Sequence, residues 1–396
     1  MDLKPRFKPP SRPDSPPPGL LASQVHIRHP AYPDAAPALL RLKPLDVAKD
    51  GRHGLDYDTA LVACCIVANN AFATGWLATR AGCGFRLVQR PADNLLHGTE
   101  YFFCVGDKNP RRHVYPVVPS FDHWRFPHDA LPSPWKDLRI EDQAPKGVEQ
   151  PAFTVDNRDR TCRVTGYSSG LEASHLVPAA DEYWFQSNGM GRYCRDQDAA
   201  QGITDDRNML LLRADLHQLL DARRFTFAAK YVMLKPEPAP REPRARVARR
   251  ELLLPVSTHV SVSPPPTPLE AVLTLHVFLP HLSGELVRLY HNRHLQPIRG
   301  LAPEFLFARF ARSIFTDPVY PFFDTVARFT VALWNNDEMR QDQETLETLE
   351  LRRRMELFSP YAMSPKKRSR PSTAVGALPQ EPILGRGDGA PGRSID

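Results

Sequence analysis

The chain has 396 residues, 42% of them hydrophobic and 24% charged; at roughly 150 residues per domain, this is enough for two or three domains with a sizeable core. It has no run of about 18 uncharged apolar residues and no apolar stretch near its N-terminus, which excludes a membrane-spanning protein and predicts no secretory signal. Proline contributes 41 residues, about twice its usual ~5% share, and indicates long segments that do not fold by themselves.

The cysteines are too sparse for a disulfide scaffold, and no two of them have the C-x-x-C spacing of paired zinc ligands. We therefore expect reduced thiols in a cytosolic or nuclear compartment. The six are Cys64, Cys65, Cys83, Cys104, Cys162 and Cys194.

The formal net charge of +6 is concentrated in the tails and in one internal segment. Residues 351–396 carry +5, residues 235–250 carry +4 and the first twenty residues carry +2, which leaves about −5 for the rest. Such basic arms bind phosphates without sequence preference, or simply keep a protein in solution. One compact basic cluster, Lys366–Arg370 between two prolines, is typical of a nuclear-import signal and predicts a nuclear protein, otherwise a cytoplasmic one.

Taken in chain order, residues 1–37 are Pro-rich and are predicted to be disordered, and residues 38–150 are predicted to form a mixed domain of unknown role. Within that domain the continuous apolar run Thr59–Ala68 predicts a buried helix. Tyr101–Val105 and Val114–Val118 predict short strands.

An aromatic-rich segment, Ser120–His128, follows these strands. Its two histidines could bind a metal, but its aromatic content favours a tightly packed loop. A second unit is predicted at 151–234, followed by a Pro/Arg-rich linker at 235–268.

The rest of the chain, 269–360, is predicted to contain one strand and then helices, ending in a disordered basic tail at 361–396. The strand is Ala271–Leu279, and the helices are Gly284–His294, Pro303–Phe315 and about Tyr320–Phe358.

The segment 161–230 carries the candidate chemistry. Its pattern predicts a strand at Cys162–Thr165, a turn at Gly166–Gly170 and a second strand at Leu171–Val177, which Pro178 ends because proline lacks the N–H a strand ladder needs. His175 lies near the end of that strand, where a side chain is both fixed and accessible.

Further along, Asn208 precedes the apolar Met209–Leu212, and a helix is predicted at Arg213–Ala222. His217 and Asp221 are separated by four residues and therefore share one face of this helix. A strand at Arg224–Ala229 is predicted next. The result is a hairpin followed by a helix, with a histidine on each.

Three motifs in this segment resemble the HNH (ββα-metal) endonuclease family, and in particular the HNH subset found in uncharacterised fungal proteins. They are Ser174-His175-Leu176-Val177-Pro178, Arg207-Asn208-Met209-Leu210-Leu211-Leu212 and Leu216-His217-Gln218-Leu219-Leu220-Asp221. The resemblance covers about 70 of the 396 residues.

The resemblance implies a role for each matched residue. His175 aligns with the general base, and a neutral imidazole suits that role because its ordinary pKa is near 6.5. Asn208 aligns with the residue that holds the base in place, and His217 with the helical metal ligand. Asp221 is an additional candidate ligand or a charge at the helix end. The implied cofactor is Mg²⁺, with Mn²⁺ as the alternative because one ligand is an imidazole.

The sequence departs from the family pattern at two points. Ser174 stands where many HNH enzymes have an aspartate ligand, and Cys162 has no partner for the structural zinc of some members. The other interpretations of these residues are structural: His175 as a core histidine, Asn208 as a turn or cap residue, and His217 as an ordinary helix residue. The module is also nearly neutral, with ten Lys/Arg and eleven Asp/Glu between Val155 and Lys230.

We therefore expect an α+β fold, with the HNH-like module embedded between a mixed α/β N-terminal domain and a helical C-terminal region, and with disordered Pro-rich tails. The expected function is metal-dependent endonuclease cleavage of nucleic acid, DNA by preference, with no membrane association and with protein partners unknown. The alternative is a non-catalytic nuclear binding or scaffolding protein that keeps a degenerate HNH fold.

Overall fold

The computed structural model describes residues 18–82, 84–106, 114–141, 154–195, 202–233, 269–280, 284–325 and 327–358. All of them belong to one compact unit of the chain, residues 1–359. The expectations for the linker 235–268, the basic cluster Lys366–Arg370, the tail 361–396 and Cys83 fall outside the described residues.

The N-terminal third is built mainly from short strands around one buried helix. In order, its elements are α1 (Pro18–Ala22), β1 (Val25–Arg28), β2 (Leu40–Leu42), β3 (Asp46–Val47), β4 (His53–Asp56), α2 (Tyr57–Val67), β5 (Gly75–Ala81), β6 (Gly84–Leu87), β7 (Leu95–Leu96) and β8 (Glu100–Val105). A five-stranded sheet has the order β2-β1-β8-β5-β6, and β3-β4-β7 form a second, smaller sheet. Only the β1–β8 pair of the larger sheet is parallel.

The predicted buried helix is confirmed as α2, whose residues are all buried except Leu61. The side chain of Asp56 caps its N-terminus, since Oδ1 accepts a hydrogen bond from the Thr59 N–H at 2.8 Å. The strand predicted at Tyr101–Val105 is confirmed as β8. The segment Ser120–His128 is a packed loop as expected, with Trp124 fully buried.

The middle of the chain contains the hairpin and helix of interest. Its elements are α3 (Val155–Asp159), β9 (Leu171–His175), α4 (Glu182–Ser187), β10 (Met209–Arg213), α5 (Ala214–Asp221) and β11 (Phe225–Met233). The remaining elements are β12 (Leu269–Val277), α6 (Glu285–Tyr290), α7 (Pro303–Ile314), β13 (Arg328–Asn335), β14 (Arg340–Glu347) and α8 (Thr348–Phe358).

Strand β11 joins the central segment to the C-terminal part. It pairs with β12 over nine residues, from Phe225 opposite Val277 to Met233 opposite Leu269. Helix α7 packs on β11 and contributes Phe305, Phe307 and Phe310 to the core. The segment predicted at 151–234 is therefore paired, through this ladder, with the segment predicted at 269–360.

One large hydrophobic core runs through most of the described chain. It contains β1 and α2 residues, the inner residues of β10 and α5, and the aromatic side chains of α7, and it extends from Val25 to Leu351. The predicted segments 38–150, 151–234 and 269–360 all contribute to it. A small separate cluster of Trp76, Ala78, Phe102 and Cys104 belongs to the five-stranded sheet. None of the described helices is long and apolar enough to cross a membrane.

Several sequence predictions are wrong in detail. Residues 18–37 are not a disordered tail, because they contain β1, which lies between β2 and β8 in the larger sheet. Val25 and Ile27 of β1 are buried and alternate with more exposed residues. Val114–Val118 is not a strand and contains only one isolated bridge, from Val117 to Val331. Cys162–Thr165 forms a turn, so the hairpin of the module pairs β9 with the distant β10 instead.

The C-terminal region is also less helical than predicted. The stretch Tyr320–Phe358 contains the β13–β14 hairpin, and only α8 at its end is helical. Strand β14, RQDQETLE, is mostly solvent-facing and polar, and such a strand carries the same charged composition as a solvated helix. The alternation in β13, RFTVALWN, with Phe329 and Val331 buried, is the signal that distinguishes the two.

Candidate active site

Two antiparallel strands and the helix that follows them carry the candidate residues. In the β9–β10 ladder His175 lies opposite Met209 and Leu171 lies opposite Arg213. Helix α5 begins directly after β10. The order strand, strand, helix is the one that the sequence resemblance implies, although more than thirty residues separate the two strands.

A buried ion pair on α3 holds β10 in place. Arg158 and Asp159 are linked by N–O distances of 2.7 and 3.0 Å, and both side chains are almost fully buried. Arg158 Nη2 donates to the Met209 carbonyl at 2.6 Å, while the Leu211 N–H donates to Asp159 Oδ2 at 2.8 Å. Because each charge is paired and hydrogen-bonded, the pair can stay buried and fix the strand that leads into α5.

His175, at the end of β9, is half-buried and has one ring nitrogen without a partner. Its Nε2 is shielded from solvent and makes no hydrogen bond with the described residues. Burial lowers the pKa of His175 below its usual value, the nearby His217 lowers it further, and Asp221 opposes the shift. The imidazole of His175 is therefore neutral at neutral pH.

Asn208 is fully buried and holds the chain just after His175. Its Oδ1 accepts from the Val177 N–H at 2.9 Å, and its Nδ2 donates to the carbonyls of Val177 and Ile203 at 2.9 and 2.8 Å. Its backbone carbonyl also accepts from the Leu176 N–H at 2.8 Å. Asn208 thus supports His175 through the backbone of the next two residues and does not contact the ring directly.

His217, on α5, lies between two carboxylates. Its Nδ1 is 2.8 Å from Glu172 Oε2 of β9, and its Nε2 is 3.4 Å from Asp221 Oδ2, one helical turn later. A proton on Nδ1 gives the shorter contact a good hydrogen bond, so we assign that tautomer. The lone pair of Nε2 is then free to bind a metal ion, in the carboxylate–histidine–metal arrangement that orients many metal ligands.

The donor set at this point fits a divalent metal ion. His217 Nε2 and Asp221 Oδ2 supply one nitrogen and one oxygen whose 3.4 Å separation suits two ligands of one ion. The Asp221 side chain is about half exposed, which leaves room for water ligands. Ser174 does not add to this set in the structure, because its side chain is fully buried with its hydroxyl unpartnered among the described residues.

The surroundings of Cys162 also indicate a structural role. It is fully buried and free, and its Sγ accepts from the Thr165 N–H at 3.5 Å within the turn before β9. Among the described cysteines, Cys64, Cys65, Cys104 and Cys194 are also buried.

A second cluster of potential metal ligands lies elsewhere in the fold. Asp46, His276 and His291 each offer an atom within 4.8 Å of the others. However, Asp46 Oδ1 already accepts from Lys230 Nζ at 2.5 Å and from Asn292 Nδ2 at 2.7 Å.

The hydrogen bonds of the His291 ring also fit an ion pair at this cluster. His291 Nδ1 accepts from the Val277 N–H at 3.2 Å, which places the proton on Nε2 and directs it to Asp46 Oδ1 at 3.3 Å. The Lys230 ammonium holds the pKa of the Asp46 carboxyl well below its usual range, although burial alone would raise it. We interpret the cluster as a buried ion pair that ties β3 to β11 and to the end of α6, and not as a metal site.

The buried histidines predict how the stability of the protein depends on pH. Burial lowers the pKa of His276 well below its usual value and that of His123 to about 3. The unfolded chain therefore binds these protons first as the pH falls, so stability is complete above about pH 6.5 and declines below it. Each such histidine contributes a slope of up to about 1.4 kcal/mol per pH unit. Urea unfolding of His276→Phe between pH 6.5 and 5 should show a flatter decline than wild type.

The control for that measurement is His97→Ala. Its hydrogen bond to Asp93 raises the pKa of His97, so His97 contributes stability that is present at low pH, and its removal should steepen the decline slightly. A His276→Phe variant with the wild-type slope would contradict the buried, neutral state of His276.

The local charges around the module are largely balanced. Arg213 pairs with Asp215 at 3.0 Å, Arg195 pairs with Asp206 at 3.0 Å, and Arg192 lies 3.4 Å from Asp129. Each of these three arginines therefore lies beside a carboxylate, which gives their part of the surface a mixed charge.

Two residues next to the site were missed by sequence reasoning. Glu172 lies three residues before His175 on the same strand, β9, so its position could have been noticed, but its partner on α5 could not. Arg309, on α7, is fully buried and directs its guanidinium to the backbone beside the site. The sequence signal for Arg309 was an arginine within the apolar run Phe305–Ala311.

Comparison with known proteins agrees with this arrangement for one part of the chain. Residues 162–228 match the sequence profile of a family described as HNH endonuclease. No curated protein and no solved structure matches the chain. The match covers β9, β10 and α5 together with His175, Asn208, His217 and Asp221. It indicates a nuclease-type, nucleic-acid-binding function for this segment.

Proposed function

We propose that the chain is a metal-dependent endonuclease that hydrolyses phosphodiester bonds of DNA at the β9–β10–α5 site. The observation that carries the proposal is the buried Nε2 of His175, which has no hydrogen-bond partner among the described residues, in a ring whose charge His217 and Asp221 influence. A buried ring nitrogen without a partner costs free energy in a purely structural role, and a base that binds its proton donor only during the reaction explains it.

In the proposed mechanism, the ring of neutral His175 turns to expose Nε2, which is otherwise shielded from solvent, and Nε2 accepts a proton from the attacking water. The water oxygen attacks the phosphorus, the bond from phosphorus to the sugar oxygen on the opposite side breaks, and that oxygen takes up a proton from solvent. The lowered pKa of His175 keeps its base form populated at neutral pH. Asn208 keeps the chain after His175 from moving, through its three side-chain hydrogen bonds.

His217 Nε2 and Asp221 would hold the divalent metal ion, and Glu172 would fix the ring of His217. When bound, the ion would stabilise the negative charge of the scissile phosphate and of the leaving oxygen. Mg²⁺ is the expected ion, because it tolerates few protein ligands and keeps several waters. The imidazole ligand also favours Mn²⁺.

The alternative is a non-catalytic nuclear binding or scaffolding protein with a degenerate HNH fold. The buried Ser174, which supplies no ligand, and the exposed carboxylates of Glu172 and Asp221 favour it. Without a metal ion these carboxylates would repel a phosphate. The two proposals therefore differ in whether any divalent ion supports cleavage.

The experiment is a supercoiled-plasmid nicking assay with Mg²⁺, Mn²⁺ or EDTA. The double variant His175→Ala/His217→Ala, purified in parallel, measures any contaminating nuclease. We expect nicking by wild type with either ion, and none with EDTA or with the double variant. Plasmid that is never nicked by wild type with either ion would support the non-catalytic alternative.

For localisation we propose nuclear import through Lys366–Arg370. The support is the compact basic cluster between prolines. A fluorescent fusion of the full chain should concentrate in the nucleus, and replacing the four basic residues by alanine should distribute it through the cell. Nuclear accumulation that survives this replacement would show that the cluster is not the signal.

A further inference from the structure

Arg309 is a charged residue in an otherwise apolar part of the core. It lies in the middle of α7, its side chain is fully buried, and its neighbours Leu306 and Phe310 are buried too. It also lies outside the segment that matches the HNH endonuclease family. Burying a guanidinium is costly unless its N–H groups find partners, so its contacts indicate what it is held there for.

Those contacts connect the two halves of the candidate site. Arg309 Nη1 donates to the Leu176 carbonyl at 3.3 Å, directly after the proposed base. Nη2 donates to the Leu220 carbonyl at the end of α5 and lies 3.7 Å from Asp221 Oδ1. A single rigid, planar group thus contacts the end of β9 and the end of α5 at once.

The contact with Asp221 has a direct geometric effect. Asp221 Oδ1 faces the guanidinium, and Oδ2 of the same carboxylate faces His217 Nε2 at 3.4 Å. The orientation of the carboxylate is therefore set from both sides. Burial lowers the pKa of Arg309 to about 9, which still leaves the guanidinium charged at neutral pH.

We propose that Arg309 is a positioning residue for the nuclease reaction, which fixes the distance between His175 and His217 and turns Asp221 Oδ2 toward the metal position. This proposal rests on the proposed function. The guanidinium acts through other residues, because its contacts are with two backbone carbonyls and the carboxylate of Asp221. Lysine cannot replace it, since an ammonium lacks the planar fork that reaches two carbonyls and a carboxylate together.

The test compares Arg309→Lys with Arg312→Lys in the full-length protein. Arg312 lies one turn later on α7, is also buried, and pairs with Asp181 instead of the site. Mn²⁺ binding is measured by calorimetry in the absence of nucleic acid, next to plasmid nicking and thermal unfolding. We expect Arg309→Lys to weaken Mn²⁺ binding by about 10- to 100-fold, the usual effect of losing a residue that orients metal ligands, and Arg312→Lys to leave it unchanged.

A double-mutant cycle separates positioning from general destabilisation. In an Asp221→Asn background, Arg309→Lys should change Mn²⁺ affinity less than twofold further, because the carboxylate it orients is gone. Wild-type Mn²⁺ affinity in Arg309→Lys, or a full additional loss in the double variant, would overturn the proposal.

Two further outcomes are distinguishable. A wild-type protein that neither binds Mn²⁺ nor nicks plasmid rejects the proposed function itself, whereas active wild type with an unaffected Arg309→Lys rejects only the role of Arg309. If Arg309→Lys does not fold, NMR of the wild-type Arg309 Nε–H during a Mg²⁺ titration replaces it. Its resonance should shift with the same midpoint as that of the His217 ring, and a static resonance would contradict the proposal.

Discussion

His175→Ala is expected to reduce the rate of plasmid nicking by about two to four orders of magnitude while leaving metal binding intact. A positioned general base contributes a factor of that size, and alanine leaves the attacking water without a proton acceptor. The measurement is the initial nicking rate in Mg²⁺ and in Mn²⁺, together with Mn²⁺ calorimetry. Because His175 is half-buried and its Nε2 has no partner to lose, the thermal unfolding midpoint should change little.

The matched control is His97→Ala. His97 is an exposed histidine that also contacts a carboxylate, Asp93, and it lies outside the residues that match the HNH endonuclease family. It should nick plasmid at the wild-type rate. Nicking that survives in His175→Ala would remove this residue from the mechanism, whatever the fate of the other variants.

His217→Ala is the second large effect that we expect. It removes the nitrogen ligand, so both metal affinity and nicking should fall by at least about a hundredfold, and raising the Mn²⁺ concentration should restore part of the nicking rate. This partial recovery distinguishes His217 from His175, for which no metal concentration should help. A His217→Ala variant with wild-type Mn²⁺ affinity would show that the metal ion binds elsewhere.

Glu172→Gln refines that result. Glutamine keeps an oxygen acceptor for Nδ1 of His217 but loses the charge, so metal affinity should fall less than in His217→Ala. The same variant is informative about the tautomer. A large loss of affinity would indicate that the carboxylate holds the Nδ1 proton, which leaves Nε2 free for the ion.

The candidate site could be predicted from the sequence wherever its residues lie in local motifs. His175 sits beside a proline that ends its strand, and His217 and Asp221 share a helix face, so both placements follow from backbone geometry alone. Helices α2 and α7 and strands β8, β11 and β12 follow in the same way from apolar patterns. These features need no information beyond about ten neighbouring residues.

The rest depends on contacts between distant parts of the chain. The strand that pairs with β9 is β10, which follows more than thirty residues later. The pattern of neighbouring residues does not reveal so distant a partner, and it predicts the nearer Cys162–Thr165 instead. Glu172 and Arg309 act through partners on other elements, for which one sequence carries no signal. The sequence predicts a helix at the polar strand β14, because a solvent-facing strand lacks the alternation of apolar and polar residues by which a strand is identified.

The packing of α7 beside β11 affects which mutations should inactivate the protein. The residues that match the family do not form a complete folded unit, because β11 pairs with β12 and Arg309 of α7 is hydrogen-bonded to the ends of β9 and α5. A fragment cut at the borders of the family match would lose these partners. Substitutions that inactivate the protein should therefore be scattered over much of the gene, and recombination that exchanges only the motif-bearing part should seldom produce a working copy.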